Sequence, residues 1–388
     1  MSGTSYDAIE TAAAELHLDD DALVLIPLGS HSRDYESDLR AEIAGALPPN
    51  AASAEDFCKL DARLGQAFAE AAAETAEEFC DGQADLVVSH GQTVFHWVEN
   101  GAALGTLQLG GPAWIAERTG SPVVSDLRGR DVAAGGHGAP LASLFDVLLL
   151  SGGSGIRGAL NLGGIANMTV VSGDKDPVAY DIGPANALID AAVGRFSGGS
   201  EAFDRDGRRG ARGKIDEHLL GLLMADPYYQ APPPKSTGKE HFHLPYLLDA
   251  LEEAGTEDED DVVATLTALT ARTVADEVKR QGVSELAASG GGTSNPTLMA
   301  MLAEAVTGVE ISTTEALGVP SDAKEAYAFA LMGFLTIHGL PANVPSCTGA
   351  GSPALLGSIT PGSGPLVLPE PAPASPARLS IQGRVPAV

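Results

Sequence analysis

One carboxylate and the residues around it set the chemistry open to this chain. Asp181 stands in Tyr180-Asp181-Ile182-Gly183-Pro184-Ala185-Asn186, ahead of the apolar run Ala187-Leu188-Ile189 and then Asp190. That order of residue types reads as a strand end, a sharp Gly-Pro turn and a helix start, with Asp181 at the bend. Shortly before it, Asn161-Leu162-Gly163-Gly164-Ile165-Ala166-Asn167 is a glycine turn running into the strand-like Met168-Thr169-Val170-Val171. A glycine turn beside a carboxylate suits a phosphate donor gripped next to a general base.

Three further stretches carry ligand chemistry. Met1-Ser2-Gly3-Thr4-Ser5-Tyr6-Asp7 is a turn rich in small hydroxyl residues, able to present N–H and O–H groups to phosphate oxygens. No strand precedes it, where a phosphate hairpin normally has one on each side; the expectation is a start further upstream or a missing first strand. Glu285-Leu286-Ala287-Ala288-Ser289 is a strand, broken by Gly290-Gly291-Gly292 before the helix from Pro296. Backbone there can lie against a flat ligand such as adenine or ribose. Ser89-His90-Gly91-Gln92-Thr93 is a polar cluster at the end of a short buried strand, Leu86-Val87-Val88, where open α/β sheets place ligand contacts. Arg128 and Arg130 stand out in a chain with 23 basic residues. Either they pair with Asp126 or Asp131, or they clamp a carboxylate with the planar guanidinium fork.

The elements that must position these groups read as α/β. Ala8 to Leu16 and Ala22 to Leu28 form a hairpin around Asp19-Asp20-Asp21. Residues 37 to 80 are helical, with capping chemistry at Ser53-Ala54-Glu55-Asp56. Val123 to Asp131 is a strand running into a charged loop, and Leu141 to Leu150 is an apolar helix. Asp261 to Val278 is an amphipathic helix, and Ala323 to Ala330 is a helix with Glu325 near its start. The predicted organisation is an N-terminal lobe over 1–150 and a second lobe over 151–345. A return segment over 346–360 and an extended or mobile Pro-rich tail over 361–388 follow.

Composition narrows the partners. A chain of 388 residues is long enough for two domains. A net charge of −29 argues against nucleic acid, whose phosphates demand Lys and Arg. An anionic substrate would need a local basic pocket. Cys58, Cys80 and Cys347 have neither metal spacing nor a paired pattern, and read as reduced thiols. No signal peptide or apolar membrane span is visible, so the expected setting is the cytoplasm, with no membrane partner. A homodimer is left open.

Two halves, each with phosphate-binding turns and a later helix, describe the actin-like (ribonuclease H-like) sugar kinase ATPase fold, two-lobed with a cleft between domains. Seven stretches together resemble the anhydro-N-acetylmuramic acid kinases: Met1 to Ser5, Ser89 to Thr93, Arg130 to Gly136, Asn161 to Asn167, Asp181 to Asn186, Lys235-Ser236-Thr237-Gly238 and Glu325-Ala326. They occur in order from residue 1 to about 357. The resemblance implies an ATP-dependent enzyme of peptidoglycan recycling that opens a 1,6-anhydro amino sugar with water at C1 and phosphorylates O6. It implies Asp181 as general base. Gly3, Thr4, Ser5, Tyr6 and Asp7 would form a first phosphate loop, and Asn161, Gly163 and Gly164 a second. Gly290, Gly291 and Gly292 would lie on the nucleoside side, Thr93 and Glu325 against the sugar. Mg²⁺ is expected on the ATP phosphates, with no protein metal ligand assigned. Arg128 or Arg130 meeting the sugar's lactyl carboxylate is an inference from charge. The alternatives are another actin-like sugar kinase or polyphosphatase, or a weakly catalytic sugar-binding sensor.

Overall fold

In the computed structural model, residues 1–3, 6, 8–238, 240–321 and 323–383 are described. Thr4, Ser5 and Asp7 of the expected first phosphate loop, and Lys239 of the Pro-rich stretch, lie outside them. In chain order the first elements are β1 (Ala8–Asp19), β2 (Ala22–Asp34), α1 (Ser37–Ala46), α2 (Ala54–Phe79), β3 (Val87–Val88), β4 (Gln92–Glu99) and β5 (Ala102–Leu109). Then come α3 (Pro112–Thr119), β6 (Val123–Ser125), α4 (Leu127–Ala133) and α5 (Ser143–Leu150). The middle of the chain holds β7 (Ile156–Leu162), β8 (Ile165–Ser172), β9 (Lys175–Pro184), α6 (Asn186–Phe196), α7 (Arg208–Arg212), α8 (Glu217–Met224) and α9 (Leu244–Ala254). It continues with α10 (Glu259–Gln281), β10 (Glu285–Ser289), α11 (Pro296–Ala305) and β11 (Glu310–Thr313). The last are α12 (Lys324–Ile337), α13 (Pro345–Thr348), β12 (Ser358–Thr360) and β13 (Arg378–Ile381).

These elements form two compact units, Met1–Ser151 with Gly318–Val388, and Gly152–Leu317. The first break falls beside the expected one. The second corrects the expected boundary at 345: α12 belongs with the first unit, because its Tyr327, Phe329, Leu331 and Met332 pack into one core with Leu23, Leu25 and Val124.

Among its described residues the first unit contains three small sheets, β1-β2-β13, β12-β6-β3 and β4-β5. The β1–β2 hairpin pairs Asp19 with Ala22 and is offset by a bulge at Ala13/Ala14. Helix α2 starts with a capping box in which Asp56 N–H donates to Ser53 Oγ and Ser53 N–H to Asp56 Oδ2, at 3.2 and 2.9 Å. Two expectations change. The charged stretch after Ser125 is helix α4, anchored by the buried Leu127 and Asp131. The tail also carries a strand: Leu379 of β13 pairs in parallel with Leu23 of β2 and is itself buried.

The second unit is built on one sheet, β11-β10-β7-β8-β9. Strands β11, β10 and β7 are parallel, and β7-β8-β9 is an antiparallel meander. Two antiparallel steps make β9 run the same way as β7. The C-terminal ends of β7, β9 and β10 therefore share one edge of the sheet. Helix α10 buries far more than one stripe, including Thr265, Thr267, Thr270 and Glu277. Those threonines satisfy their hydroxyls on carbonyls one turn back, as Thr267 does on Val263 at 2.8 Å.

Candidate functional site

The second unit gathers three of the expected ligand-binding stretches at that shared edge. Asn161-Leu162 closes β7, Gly163-Gly164 makes the turn, and β8 begins at Ile165. In-register pairing sets Ser289, Asn161, Asn167 and Asp181 side by side on β10, β7, β8 and β9. At roughly 4.8 Å per strand, Asn161 and Asp181 lie about 10 Å apart. A row of two amides and a carboxylate thus crosses the sheet just below the glycine turns.

The turn after β10 requires glycine at two of its three glycine positions. Gly290 has a φ of +85°, and a Cβ there would sit 2.5 Å from Asn161 Oδ1 and 2.9 Å from the Leu162 carbonyl. At Gly292 a Cβ would lie 2.7 Å from Leu162 Cβ, whereas at Gly291 it would meet nothing. The β10 turn therefore packs backbone against backbone on the β7 turn and opens at Gly291. The β7 turn is locked to the start of α6 as well: Asn186 N–H and Nδ2 donate to the Gly163 carbonyl at 3.0 and 2.8 Å.

Asp181 lies within β9, and the strand continues past it to Pro184; the expected bend at the carboxylate is instead a bulge, where Asn167 pairs with Asp181 and Ala166 with Gly183. Strand β9 is the edge of the sheet, and residues 228–237 cover it. Asp181 N–H donates to the Lys235 carbonyl at 3.0 Å, and Tyr228 Oη–H to the Asp181 carbonyl at 2.7 Å. Ser236 Oγ and Thr237 N–H donate to Asp181 Oδ2 at 2.8 and 3.0 Å. Oδ1 accepts from no described residue. Burial raises the Asp181 pKa above the ordinary aspartate value; the Thr237 and Ser236 bonds pull it down, and the Glu240 charge pushes it up. One oxygen is clamped and one is left for a proton: the arrangement of a base. Thr237 Oγ1 is buried beside it with no partner among the described residues.

The other expected contacts lie in the first unit. Ser2 forms a parallel bridge with Gln92, donates through Oγ to Gln92 Oε1 at 2.7 Å, and Gln92 Nε2 returns a bond to the Gly3 carbonyl at 3.2 Å. Tyr6 N–H donates to the Gly3 carbonyl at 3.2 Å. Thr93, one residue on, accepts from Gln108 Nε2 at 3.1 Å. Buried His90 accepts from Arg128 Nε at its Nε2, 2.8 Å, so the ring proton sits on Nδ1 and meets the Gly91 carbonyl at 2.9 Å. Burial, then the Arg128 charge, keep this imidazole neutral, well below its usual pKa. Arg128 also feels the carboxylate of Glu325. Glu325 is exposed in the first turn of α12, while its neighbour Lys324 is buried on Asp146 at 2.8 Å. Arg130 is exposed, and neither arginine pairs with Asp131. That carboxylate is fully buried and accepts from Gly138 N–H, Asn343 Nδ2 and Thr348 Oγ1 at 2.8, 2.7 and 2.8 Å.

Sequence reasoning assigned no role to Ser236 and Thr237, although Lys-Ser-Thr-Gly after the proline run was the signal. The family model for anhydro-N-acetylmuramic acid kinase matches residues 1–362. A Streptomyces coelicolor protein named anhydro-N-acetylmuramic acid kinase is 60% identical over 383 residues, covering 99% of this chain and 98% of its own. A Rhodococcus erythropolis protein of the same name is 54% identical over 389 residues, with 98% of each chain covered. One from Caldanaerobacter subterraneus is 37% identical over 377 residues, 93% and 95%. The chain belongs to the anhydro-N-acetylmuramic acid kinase family.

Proposed function

We propose that this protein uses ATP to open 1,6-anhydro-N-acetylmuramic acid and phosphorylate it, giving N-acetylmuramic acid 6-phosphate and ADP in cell-wall recycling. The observation that carries the reading is the half-free carboxylate of Asp181, level with two glycine turns on one sheet edge. Asp181 Oδ1 takes a proton from water, the water oxygen bonds to C1, and the C1–O6 bond breaks. O6 then takes the γ-phosphoryl group, and ADP leaves. Phosphoryl transfer needs positioning and charge neutralisation more than covalent help. The turns at Gly163-Gly164 and Gly290 to Gly292, with Gly3 and Tyr6 of the N-terminal turn, are read as the ATP contacts. Thr93, Glu325 and Arg130 are read as contacts to the sugar.

Mg²⁺ would neutralise charge on the transferring phosphoryl group. Its ligands would be phosphate oxygens and water with at most one or two carboxylates, the usual preference of this ion. Among the described residues no helix is long and apolar enough to cross a membrane. A supply of ATP and three free thiols suit the cytoplasm.

Incubation with anhydro-sugar and ATP in ¹⁸O-water tests the reaction. Mass spectrometry is expected to find label at C1 and one added phosphate. Phosphate without label, or turnover of glucose or N-acetylglucosamine but not of the anhydro-sugar, would instead favour an ordinary sugar kinase. The nucleotide side has its own test. Gly290→Ala forces a side chain into a backbone conformation, φ +85° and ψ 167°, that is essentially glycine-only, at about 1–3 kcal/mol, and against Asn161. The KM for ATP rises about tenfold or more, with the KM for sugar nearly unchanged; an unaltered ATP KM would remove this turn from the nucleotide site.

A further inference from the structure

The segment that grips Asp181 is itself clasped from behind. Lys235 Nζ lies 2.9 Å from Glu277 Oε1 of α10, and the two side chains are only 4% and 3% exposed. The same ammonium stands 4.8 Å from the centre of the Tyr228 ring. Glu277 also accepts from Tyr180 Oη at 3.1 Å and from Arg280 at 2.9 Å. Tyr180 directly precedes Asp181 on β9, and Lys235 directly precedes Ser236 on the covering segment. One buried carboxylate therefore ties together the strand that bears the base and the loop that holds it.

We propose that Lys235 and Glu277 are positioning residues for Asp181: by fixing Tyr180 and Lys235 to one point, they keep Ser236 and Thr237 on Oδ2 and leave Oδ1 aimed at the attacking water. This inference rests on Asp181 being the base. A buried ion pair is weak evidence for stability, since its desolvation offsets much of its attraction. A role in registering two segments explains its presence better. The groups facing Asp181 from around it are Ser236, Thr237, Tyr228 and Glu240. Of these, only the Ser236 and Thr237 bonds lower its pKa, and both depend on where Lys235 sits.

The variants are Lys235→Met, which leaves Glu277 paired with Arg280, and the milder Glu277→Gln, which keeps the shape. Small misplacements of a catalytic group cost up to about 100-fold. The expected result is a kcat lowered about 10–100-fold with both KM values little changed. The acid limb of the kcat profile moves to higher pH as Asp181 loses its two donors. Lys235→Arg restores part of the rate. A purely structural pair would lower the melting temperature and leave the acid limb in place. If Lys235→Met does not fold, Glu277→Gln carries the test. A folded variant with wild-type kcat and an unmoved limb overturns the proposal. Asp181→Asn measured alongside separates the two failures: an active Asp181→Asn sinks the base itself, whereas an inactive one beside normal clasp variants sinks only the clasp.

Discussion

The Asp181→Asn enzyme is expected to lose kcat by roughly 10²–10⁴-fold, the range of a general base, while still binding ATP and sugar. Asparagine keeps an acceptor for Ser236 and Thr237, so the loop stays seated and only the proton acceptor is lost. Isothermal calorimetry for binding and a coupled ADP assay for turnover separate the two effects. A rate within a few-fold of wild type would remove Asp181 from the chemistry. The same substitution has a stability signature. Burial makes this carboxyl harder to ionise in the folded chain than in the unfolded one. Its contribution to stability is therefore complete below the ordinary aspartate pKa and is lost as pH rises through the raised value. Asp181→Asn accordingly melts above wild type at neutral pH, with the gap closing on acidification. Catalytic carboxylates often carry such a cost. A gap that instead widens in acid would contradict the burial.

Asp131→Ala is expected to give the largest loss of stability. It leaves three donors, Gly138 N–H, Asn343 Nδ2 and Thr348 Oγ1, facing a void. Each unsatisfied buried donor costs about 1–3 kcal/mol, so the loss is at least about 3 kcal/mol, read from urea unfolding. The effect reaches past the core. Gly138 O accepts from Arg128, and Arg128 holds the tautomer of His90. Sugar turnover is expected to fall further than the unfolded fraction explains. Asp131→Asn, which keeps one acceptor, falls between. Wild-type stability in the alanine variant would mean that these donors find other partners.

The parts of this site legible in the sequence were those where backbone geometry dictates residue type. Gly290 is required by its left-handed φ and its approach to Leu162, so a run of glycines after a strand gave it away. Asp181 stood out as a carboxylate just ahead of a Gly-Pro pair, although the strand it was expected to end runs on to Pro184. What stayed hidden depends on distant chain. Ser236, Thr237 and Glu277 meet Asp181 or its neighbours only after folding; Lys-Ser-Thr-Gly marks the first two as a motif without saying what they hold, and no local pattern marks Glu277. Strand β4 has no expectation behind it: Ser89 to Thr93 reads as a polar cluster at a strand end, yet Gln92 is buried, bonded to Ser2 and opens the strand. Helix α4 was masked by its charges, and β13 by the prolines before it. The return to the first unit was expected only from residue 346, not from Gly318, because nothing near Lys324 announces a partner as far away as Asp146.

That discontinuity orders events on the ribosome. Residues 152–317 hold every strand of the five-stranded sheet in one unbroken stretch, so this body can close as soon as it clears the exit tunnel. The portion synthesised before it still lacks α12, β12 and β13. With domains folding as units during translation, the unit that is begun first is completed last, and its edge at β2 stays bare until residues 378–381 arrive.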